Sequence, residues 1–299
     1  MINKKRAILI SSMTFFVTIT IWGIFLQTPE KPETPYYTTS TVQAINWSKD
    51  TNFFKLKSGF DLSKTAKSVG ITLKRNKGLG NEFSQEVYNF YKDNPKVHWA
   101  VYDITGDSLI DCSTFADSNL YGASVPKVCV SSASISLYGE ESLTYMDWGN
   151  IIRLLVVSDN SVWGKVQNLA GPKGMVNKWA KSMDYRMKPE FNGGNSVNAL
   201  DMSFFWRDVC RNEFNGAEAI FRITSSCATS STRSRKCMPT DVYLGGKTGT
   251  YNNSCHDCCW IQSGNKFYSI CVLTELGNRG SDAIAHLFRG LWNEYCQNR

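Results

Sequence analysis

The chain has 299 residues, 42% hydrophobic and 20% charged, enough to bury a sizeable core in one large domain or two small ones. Its formal net charge of +7 favours an anionic partner (nucleic acid, an acidic lipid surface or an acidic polymer) or else only a mildly basic surface. Paired zinc-finger motifs and the RNA-binding aromatic signature are both missing from the sequence, so we expect no nucleic-acid partner.

The N-terminus has the pattern of a membrane anchor. Three basic residues, 4–6, precede an uncharged stretch over residues 7–26, which is about 30 Å long as a helix and matches the apolar thickness of a bilayer. We expect residues 1–6 in the cytoplasm and the rest outside, in the periplasm or at the cell surface. A cleaved signal peptide is the alternative, but the sequence after residue 26 has no small-x-small cleavage site.

A tether and a globular domain are predicted next. Residues 27–60 are rich in Pro, Thr and Ser, which is typical of a linker, and residues 80–299 form the predicted catalytic domain. This domain begins with a helix over 81–91 and a hairpin whose strands cover 97–104 and 108–112.

The middle of the domain is predicted to be helical and its end to return to strands. Predicted helices cover 124–137, 146–157, 162–169, 175–183, 200–210 and 282–295, and predicted strands cover 242–251, 258–262 and 267–274 with turns at 252–257 and 263–265. Strands at both ends with helices between them predict an α+β fold. In its simplest form, one antiparallel sheet has the first and last helices on one face and an all-helical subdomain on the other.

Ten cysteines are a high count, and in an exported domain they predict disulfides or buried thiols. Cys129 lies on the helix predicted over 124–137 and is interpreted as a packed thiol. Residues 255–259 read Cys-His-Asp-Cys-Cys and raise the question of a zinc site. The spacing fits no standard finger, and adjacent Cys258 and Cys259 would face opposite sides of a strand, so we expect no metal and no cofactor.

Three short polar motifs carry the chemistry. They are Ser124-Val125-Pro126-Lys127, Ser158-Asp159-Asn160 and Lys247-Thr248-Gly249, in that order. A second Ser-x-x-Lys tetrad over residues 263–266 contains Gly-Asn between apolar runs and is interpreted as a hairpin turn. The first tetrad instead opens an apolar helical run, so together with the other motifs it predicts a serine acyl-transfer centre.

Ser124 and Lys127 are the candidate nucleophile and base. Three residues along a helix is nearly one turn, so both side chains lie on one face. Burial and a nearby cation, for which Lys247 is the candidate, would lower the pKa of Lys127 enough for it to take the serine proton. Pro126 suits a first helical turn and places Ser124 at the helix N-terminus. The alternative is an ordinary helix cap followed by a surface lysine.

The second motif predicts a proton shuttle and a positioning amide. Ser158 would pass a proton between Lys127 and a leaving nitrogen, and Asn160 would hydrogen-bond a substrate amide. Ser, Asp and Asn also favour helix caps, so a capping turn is the alternative.

The third motif predicts an anion site. Lys247, Thr248 and Thr250 would hold a carboxylate, and the glycines in this predicted strand indicate close approach of a ligand to the backbone. The backbone N–H groups of Ser124 and Thr250 would form an oxyanion hole. A glycine-rich turn or edge strand is the alternative.

Residues from about 80 to 299 resemble the serine β-lactamases and penicillin-binding proteins, most closely class A β-lactamases and class A-like D-alanyl-D-alanine peptidases. The resemblance is carried by the three motifs, by Val101-Tyr102-Asp103 with Thr105-Gly106 in the first hairpin, and by the terminal helix. It implies the fold and residue roles given above. It adds the substrate class, which is β-lactams or the D-alanyl-D-alanine end of peptidoglycan stem peptides.

One loop departs from the family pattern. Class A enzymes carry Arg-x-Glu-Pro-Glu-Leu-Asn, whose first Glu activates the deacylating water, and residues 186–192 here read Arg-Met-Lys-Pro-Glu-Phe-Asn. Lys188 stands where that Glu is expected and cannot accept a proton, so deacylation should be slow unless Glu190 moves in. Loss of a general base costs about 10²–10⁴-fold in rate. The departure weakens an efficient β-lactamase assignment and permits a cell-wall peptidase or a protein that acylates and stalls. The overall class A resemblance favours β-lactam hydrolysis, and Lys188 favours a D,D-peptidase.

Two further hypotheses stay open at this point. One is a membrane-tethered β-lactam or peptidoglycan sensor, or an inactive binding module, which predicts binding or slow acylation without turnover. A disulfide-rich structural exoprotein predicts no covalent labelling by penicillin at all.

Overall fold

The computed structural model describes residues 52–81, 89, 91–227 and 232–297. The predicted anchor at 7–26, its cytoplasmic tail and most of the linker lie outside these residues, as does most of the predicted helix over 81–91. Within the described ranges, no helix is both long enough and apolar enough to span a bilayer.

Helices and strands alternate along the described chain. The helices are α1 (Leu62–Ser68), α2 (Pro126–Tyr138), α3 (Tyr145–Val156), α4 (Trp163–Leu169), α5 (Met175–Ser182), α6 (Ala199–Arg211), α7 (Ala217–Thr224), α8 (Ser234–Cys237) and α9 (Gly280–Tyr295). The strands are β1 (Asn76–Lys77), β2 (Val97–Asp103), β3 (Ser108–Cys112), β4 (Leu120–Tyr121), β5 (Ser196–Val197), β6 (Tyr243–Tyr251), β7 (Ser254–Ser263) and β8 (Lys266–Thr274).

The main sheet joins the early hairpin to the late meander. Its six strands run in the order β1-β6-β7-β8-β2-β3, and neighbouring strands are antiparallel. Val97 of β2 pairs with Thr274 of β8, so residues far apart in sequence close the sheet. This arrangement confirms the predicted α+β fold.

The two faces of the sheet bury different helices. Trp99 and Val101 of β2 pack with α9 residues such as Phe288, whereas Ala100 and Tyr102 face the helical block. This alternation follows from the two-residue period of a strand. On the helical side, Phe221 of α7 stacks on Trp260 of β7 with ring centroids 4.2 Å apart. The predicted positions of the terminal helix and of the helical subdomain are therefore confirmed.

The packed part of the chain begins earlier than its composition indicates. Phe53 and Leu56 are buried in the core although they lie in the segment interpreted as linker. Helix α1 follows, and the carboxylate of Asp61 caps it by accepting from the N–H groups of Ser63 and Lys64 at 3.0 and 3.3 Å. These two apolar side chains follow a segment rich in Thr and Ser, and they are too few to predict a buried element from the sequence.

Strand β7 corrects the predicted turn at 252–257. The turn is shorter, and the strand starts at Ser254, so His256 and Asp257 are fully buried. Burial of such groups requires partners. The His256 Nε2 atom lies 2.8 Å from the carbonyl oxygen of Tyr121, and Asp257 accepts from the N–H and hydroxyl of Ser234 at 3.1 and 2.7 Å. These partners come from distant segments, which the polar sequence of 252–257 does not reveal.

Helix α7 is absent from the predicted elements. It is buried almost throughout, and Glu218 and Arg222, one turn apart, form an ion pair at 2.8 Å inside the fold. The helix has only eight residues, and the sequence analysis assigned no element to it although its sequence has an amphipathic pattern.

All ten cysteines lie in the described residues, and none of them is joined to another by a disulfide. The predicted disulfides are therefore not observed. The prediction of a packed thiol at Cys129 is confirmed, because this side chain is fully buried. Cys258 and Cys259 belong to the hydrophobic clusters on opposite faces of the sheet, as the strand period predicts.

We expect replacement of His256 by Gln to reduce the acid sensitivity of the fold. The N–H of Thr274 donates to Nδ1 of His256 at 3.1 Å, and burial lowers the pKa of His256 from 6.5 to about 4. As the pH falls below 6.5, the unfolded imidazole takes up a proton and the folded one does not. The native state therefore loses up to about 1.4 kcal/mol per pH unit from this group until about pH 4.

Urea unfolding at pH 7.0 and 4.5 measures this effect. The loss of unfolding free energy between the two pH values should be smaller in His256→Gln than in the wild type by about 2 kcal/mol. Equal losses in the two proteins would contradict the assignment of a neutral, buried imidazole.

Candidate active site

The first motif lies at the start of α2. Pro126 is the first residue of the helix, and Ser124 stands just before it, partly exposed. Ala123 has a left-handed backbone with a φ of 51°, which is uncommon for a residue with a Cβ. The loop is held by Asn195, whose backbone carbonyl accepts from the N–H of Gly122 at 2.8 Å.

The side chain of Lys127 joins the first motif to the second. It is completely buried, and its Nζ donates to the carbonyl and hydroxyl oxygens of Ser158 at 2.7 and 3.0 Å and to Oδ1 of Asn160 at 2.5 Å. The ring of Trp163 covers the ammonium, with 4.8 Å between Nζ and the ring centroid. The sequence-predicted base, shuttle and positioning amide therefore meet at a single nitrogen atom.

Burial brings the pKa of this lysine close to neutrality. Desolvation, and after it the nearby ammonium of Lys247, lower the pKa of Lys127 from 10.5 to about 7, although the carboxylate of Asp159 acts in the opposite direction. At neutral pH the protonated and neutral amines are then present in similar amounts. An amine in this state is able to accept a proton from a neighbouring hydroxyl.

Ser158 offers two acceptors to one lysine because of its backbone. Its φ of 57° is left-handed, and the following turn is fixed by Asp159, which pairs with Arg153 and accepts from the N–H of Ser161 at 2.8 Å. Holding a non-glycine residue in this region costs of order 1–3 kcal/mol. The two bonds from Lys127 to Ser158 and the two contacts of Asp159 offset that cost.

Strand β6 brings the third motif to the same place. Lys247 is buried, donates to the carbonyl of Thr248 at 3.0 Å, and has a pKa lowered by burial to about 8. At Gly249 a Cβ atom would lie 2.8 Å from the carbonyl oxygen of Gly122 and 3.0 Å from the backbone nitrogen of Ser124. The strand thus touches the nucleophile loop through backbone atoms, and the amides of Ser124 and Thr250 belong to these two adjoining segments.

Arg233 was missed by the sequence analysis. It is buried beneath the end of β6, where its Nη2 donates to the hydroxyl of Thr250 at 2.5 Å and its Nη1 to the carbonyl oxygens of Gly249 and His256 at 3.3 and 2.5 Å. It adds a second cation to the predicted carboxylate site. No motif surrounds it, because its role arises from the approach of the segment before α8 to β6.

The loop over residues 186–192 is anchored to α6 through Asp201. The N–H groups of Arg186 and Met187 donate to the carboxylate of Asp201 at 2.5 and 2.9 Å. Lys188 pairs with the backbone of Ser196 and has an exposed side chain. Among the described residues, no hydrogen bond joins Lys188 to Lys127.

Glu190 is bound at the start of α5. Its two carboxylate oxygens accept from the N–H of Gly174 at 2.7 and 2.9 Å, and its own N–H donates to Oδ1 of Asn177 at 3.1 Å. With 1% of its surface exposed, it has the position of a helix N-terminal anion. In this arrangement it holds the loop to α5 and makes no bond to Lys127 or Ser124.

The fold is that of the serine β-lactamases and penicillin-binding proteins. Solved structures with this fold include an ancestral class A β-lactamase (15% identity, TM-score 0.60, covering 70% of this chain and 97% of that one). They also include a β-lactamase from Chitinophaga pinensis, with 13% identity and a TM-score of 0.59, covering 77% of this chain and 98% of that one. The protein PBP-A has 14% identity and a TM-score of 0.60, covering 74% of this chain and 98% of that one.

Residues 140–295, just over half of the chain, match the model of the β-lactamase enzyme family, and the chain belongs to this family. Among curated proteins, none matches the sequence. The family and superfamily indicated by the sequence are thereby confirmed, and serine hydrolases are the class of enzyme to which this fold belongs.

We expect Gly249→Ala to disturb the contact between β6 and the nucleophile loop. The new methyl group would meet backbone atoms that cannot rotate away, so the unfolding free energy should fall by about 1–3 kcal/mol. Gly164→Ala in α4 is the matched control, because its Cβ meets nothing within 4 Å. It should leave stability unchanged or raise it by up to about 1 kcal/mol. Chemical denaturation of both variants measures the difference, and equal stabilities would contradict the close approach.

Proposed function

We propose that this protein is an exported serine acyl-transfer hydrolase that acts on β-lactams or D-alanyl-D-alanine peptides through an acyl-enzyme on Ser124. The observation that carries the proposal is the buried Lys127 amine, held by Ser158 and Asn160 one helical turn from Ser124, with its pKa lowered to about 7. Membership of the β-lactamase family supports the reaction class.

The proposed first step is acylation of Ser124. The Oγ atom of Ser124 attacks the carbonyl carbon of the substrate amide, and neutral Lys127 takes the serine proton. The carbonyl oxygen becomes an oxyanion, which the backbone N–H groups of Ser124 and Thr250 would stabilise. When the C–N bond breaks, the proton passes from Lys127 through the hydroxyl of Ser158 to the leaving nitrogen, and the acyl group stays on Ser124 as an ester.

In the proposed site, cationic side chains bind the substrate carboxylate and a side-chain amide binds the substrate amide. Lys247, Thr248 and Thr250, backed by Arg233, would bind the carboxylate that β-lactams and D-alanyl-D-alanine ends share. Asn160 would hydrogen-bond the substrate amide. Because Lys247 and Arg233 are buried, their charges are little screened by water, which strengthens the attraction for an anion.

Hydrolysis of the acyl-enzyme is proposed to be slow for β-lactams. Lys188 replaces the carboxylate that activates water in class A enzymes, and Glu190 is occupied by the N–H of Gly174. Removing a general base lowers a rate by about 10²–10⁴-fold. Slow hydrolysis of the acyl-enzyme favours a cell-wall peptidase over an efficient β-lactamase.

The location of the protein is part of the proposal. A membrane anchor over residues 7–26 would keep the catalytic domain outside the cytoplasmic membrane, in the periplasm or at the cell surface. Peptidoglycan stem peptides are found on that side.

Intact mass spectrometry with benzylpenicillin tests the reaction. We expect a penicilloyl adduct that persists for hours and is abolished by Ser124→Ala. Glu190→Gln should leave the adduct lifetime unchanged within twofold while lowering the unfolding free energy by about 1–3 kcal/mol, because the amide nitrogen would face the N–H of Gly174. An adduct that hydrolyses within seconds would overturn slow deacylation, and a longer lifetime in Glu190→Gln would identify Glu190 as the base.

The acylation rate should rise with pH through the pKa of Lys127. Only the neutral amine accepts the serine proton, so the rate at pH 5.5 should be about thirtyfold below its high-pH plateau. Quenched-flow mass spectrometry between pH 5.5 and 8.5 gives the profile. Lys127→Arg should show no acylation at any of these pH values, since guanidinium stays protonated. A pH-independent rate in the wild type would exclude Lys127 as the base.

A sensor or inactive binding module is the second candidate, favoured by the same missing carboxylate. It predicts an adduct with penicillin but no release of D-alanine from a stem pentapeptide. Release of D-alanine that is lost in Ser124→Ala would eliminate it. A structural exoprotein predicts no penicillin adduct at all.

A further inference from the structure

A second cleft lies between α5 and the loop over residues 184–193. Its volume is about 730 Å³, and none of the three motifs contributes a lining residue. Small-molecule sites typically measure about 300–1,000 Å³. The cleft is therefore large enough for a small organic ligand and distinct from the residues assigned to acylation.

The lining of this cleft is strongly basic. Four cationic side chains, those of Lys178, Lys181, Arg186 and Lys188, face one carboxylate, that of Asp184. Arg186 is balanced by other carboxylates, including that of Asp117 at 3.3 Å. For the three lysines the described part of the chain supplies no ion pair.

This concentration of lysines has no evident structural purpose. Lys178 and Lys181 lie three residues apart on α5, a spacing at which like charges repel on a helix. Lys181 is in the last helical turn, where the helix dipole favours a cation, but Lys178 and Lys188 have no such compensation. An anionic ligand would remove the repulsion.

The wall of the cleft adds an apolar surface. Tyr185 and Met187 line it although both side chains are largely buried, and the Tyr185 hydroxyl is already bonded to the carboxylate of Asp208 at 2.5 Å. The ligand would therefore meet carbon and sulfur at the wall and ammonium groups around it. Lysine ammonium groups act as point charges toward phosphate, which carries up to two charges and three acceptor oxygens.

We propose that this cleft binds a small organic phosphate ester. The phosphate lies among Lys178, Lys181 and Lys188, and the organic part lies against Tyr185 and Met187. The ester is either a free monoester or a diester carried on a polymer or lipid headgroup. None of these residues belongs to the three motifs assigned to the acylation of Ser124.

Isothermal titration of the full-length protein with glycerol 3-phosphate tests the proposal. We expect saturable binding that weakens at least tenfold in Lys178→Gln/Lys181→Gln and weakens with added salt. Lys64→Gln/Lys67→Gln is the matched control, because it removes two exposed lysines at the same spacing from α1, and it should change the dissociation constant less than twofold. Thermal unfolding of both variants verifies that each is folded.

Two further ligands test whether the cleft prefers phosphate to carboxylate and whether the phosphate is a free monoester or part of a diester. Glycerate, a carboxylate on a similar body, should bind at least tenfold more weakly than glycerol 3-phosphate. Tighter binding of glycerol 3-phosphate than of glycerophosphoglycerol indicates a free monoester, and the reverse indicates a diester from a polymer or headgroup. The proposal is overturned if neither phosphate binds, if glycerate binds as well as phosphate, or if both double variants weaken binding equally.

Discussion

The buried ammonium of Lys127 is the group around which the helical side of this protein is organised. A lysine that is completely removed from water is tolerated only if acceptors replace its hydration shell, and Ser158 and Asn160 supply them. To do so, Ser158 adopts a left-handed backbone, and the Arg153–Asp159 pair stabilises the turn that follows. The same burial that demands these acceptors lowers the pKa of the amine to about 7. The structural requirement and the proposed chemistry thus have one physical origin.

A layer of buried polar groups positions the other half of the site. His256 binds the carbonyl of Tyr121, just ahead of the nucleophile loop, and Asp257 holds the start of α8, next to Arg233. Arg233 in turn supports the end of β6. Each of these side chains is buried and would destabilise the fold without its partner. Together they fix the approach of β6 to Ser124, so the geometry of the predicted anion site depends on residues that no motif contains.

The loop over residues 186–192 keeps the frame of the class A sequence and has different contacts. Asp201 binds the backbone at Arg186 and Met187, and Glu190 binds Gly174. Both carboxylates serve to hold the loop against the helical block, and Lys188 points into a basic cleft on that side. Such a loop is well suited to fixing the shape of the site, and it offers no base for water. This explains in physical terms why a family member of this kind is proposed to acylate readily and deacylate slowly.

The amino-acid sequence by itself determined the fold class, the family and the order of the three motifs. These are local or periodic properties: the apolar period of α3 and α6, the alternation in β2 and β8, and polar residues at fixed spacing in each motif. The lowered pKa of Lys127 was predicted from the chemistry assigned to its motif, whereas the burial that causes it is a result of the tertiary structure.

Only the tertiary structure decided which polar residues away from the motifs complete the site. Arg233, His256 and Asp257 acquire their partners from segments distant in sequence, and the polar composition around them indicates turns rather than a buried layer. The early packing of Phe53, the burial of α7 and the attachment of Glu190 to α5 were hidden for the same reason. The environment of a side chain depends on the residues that the fold packs against it, and the local sequence does not specify those residues.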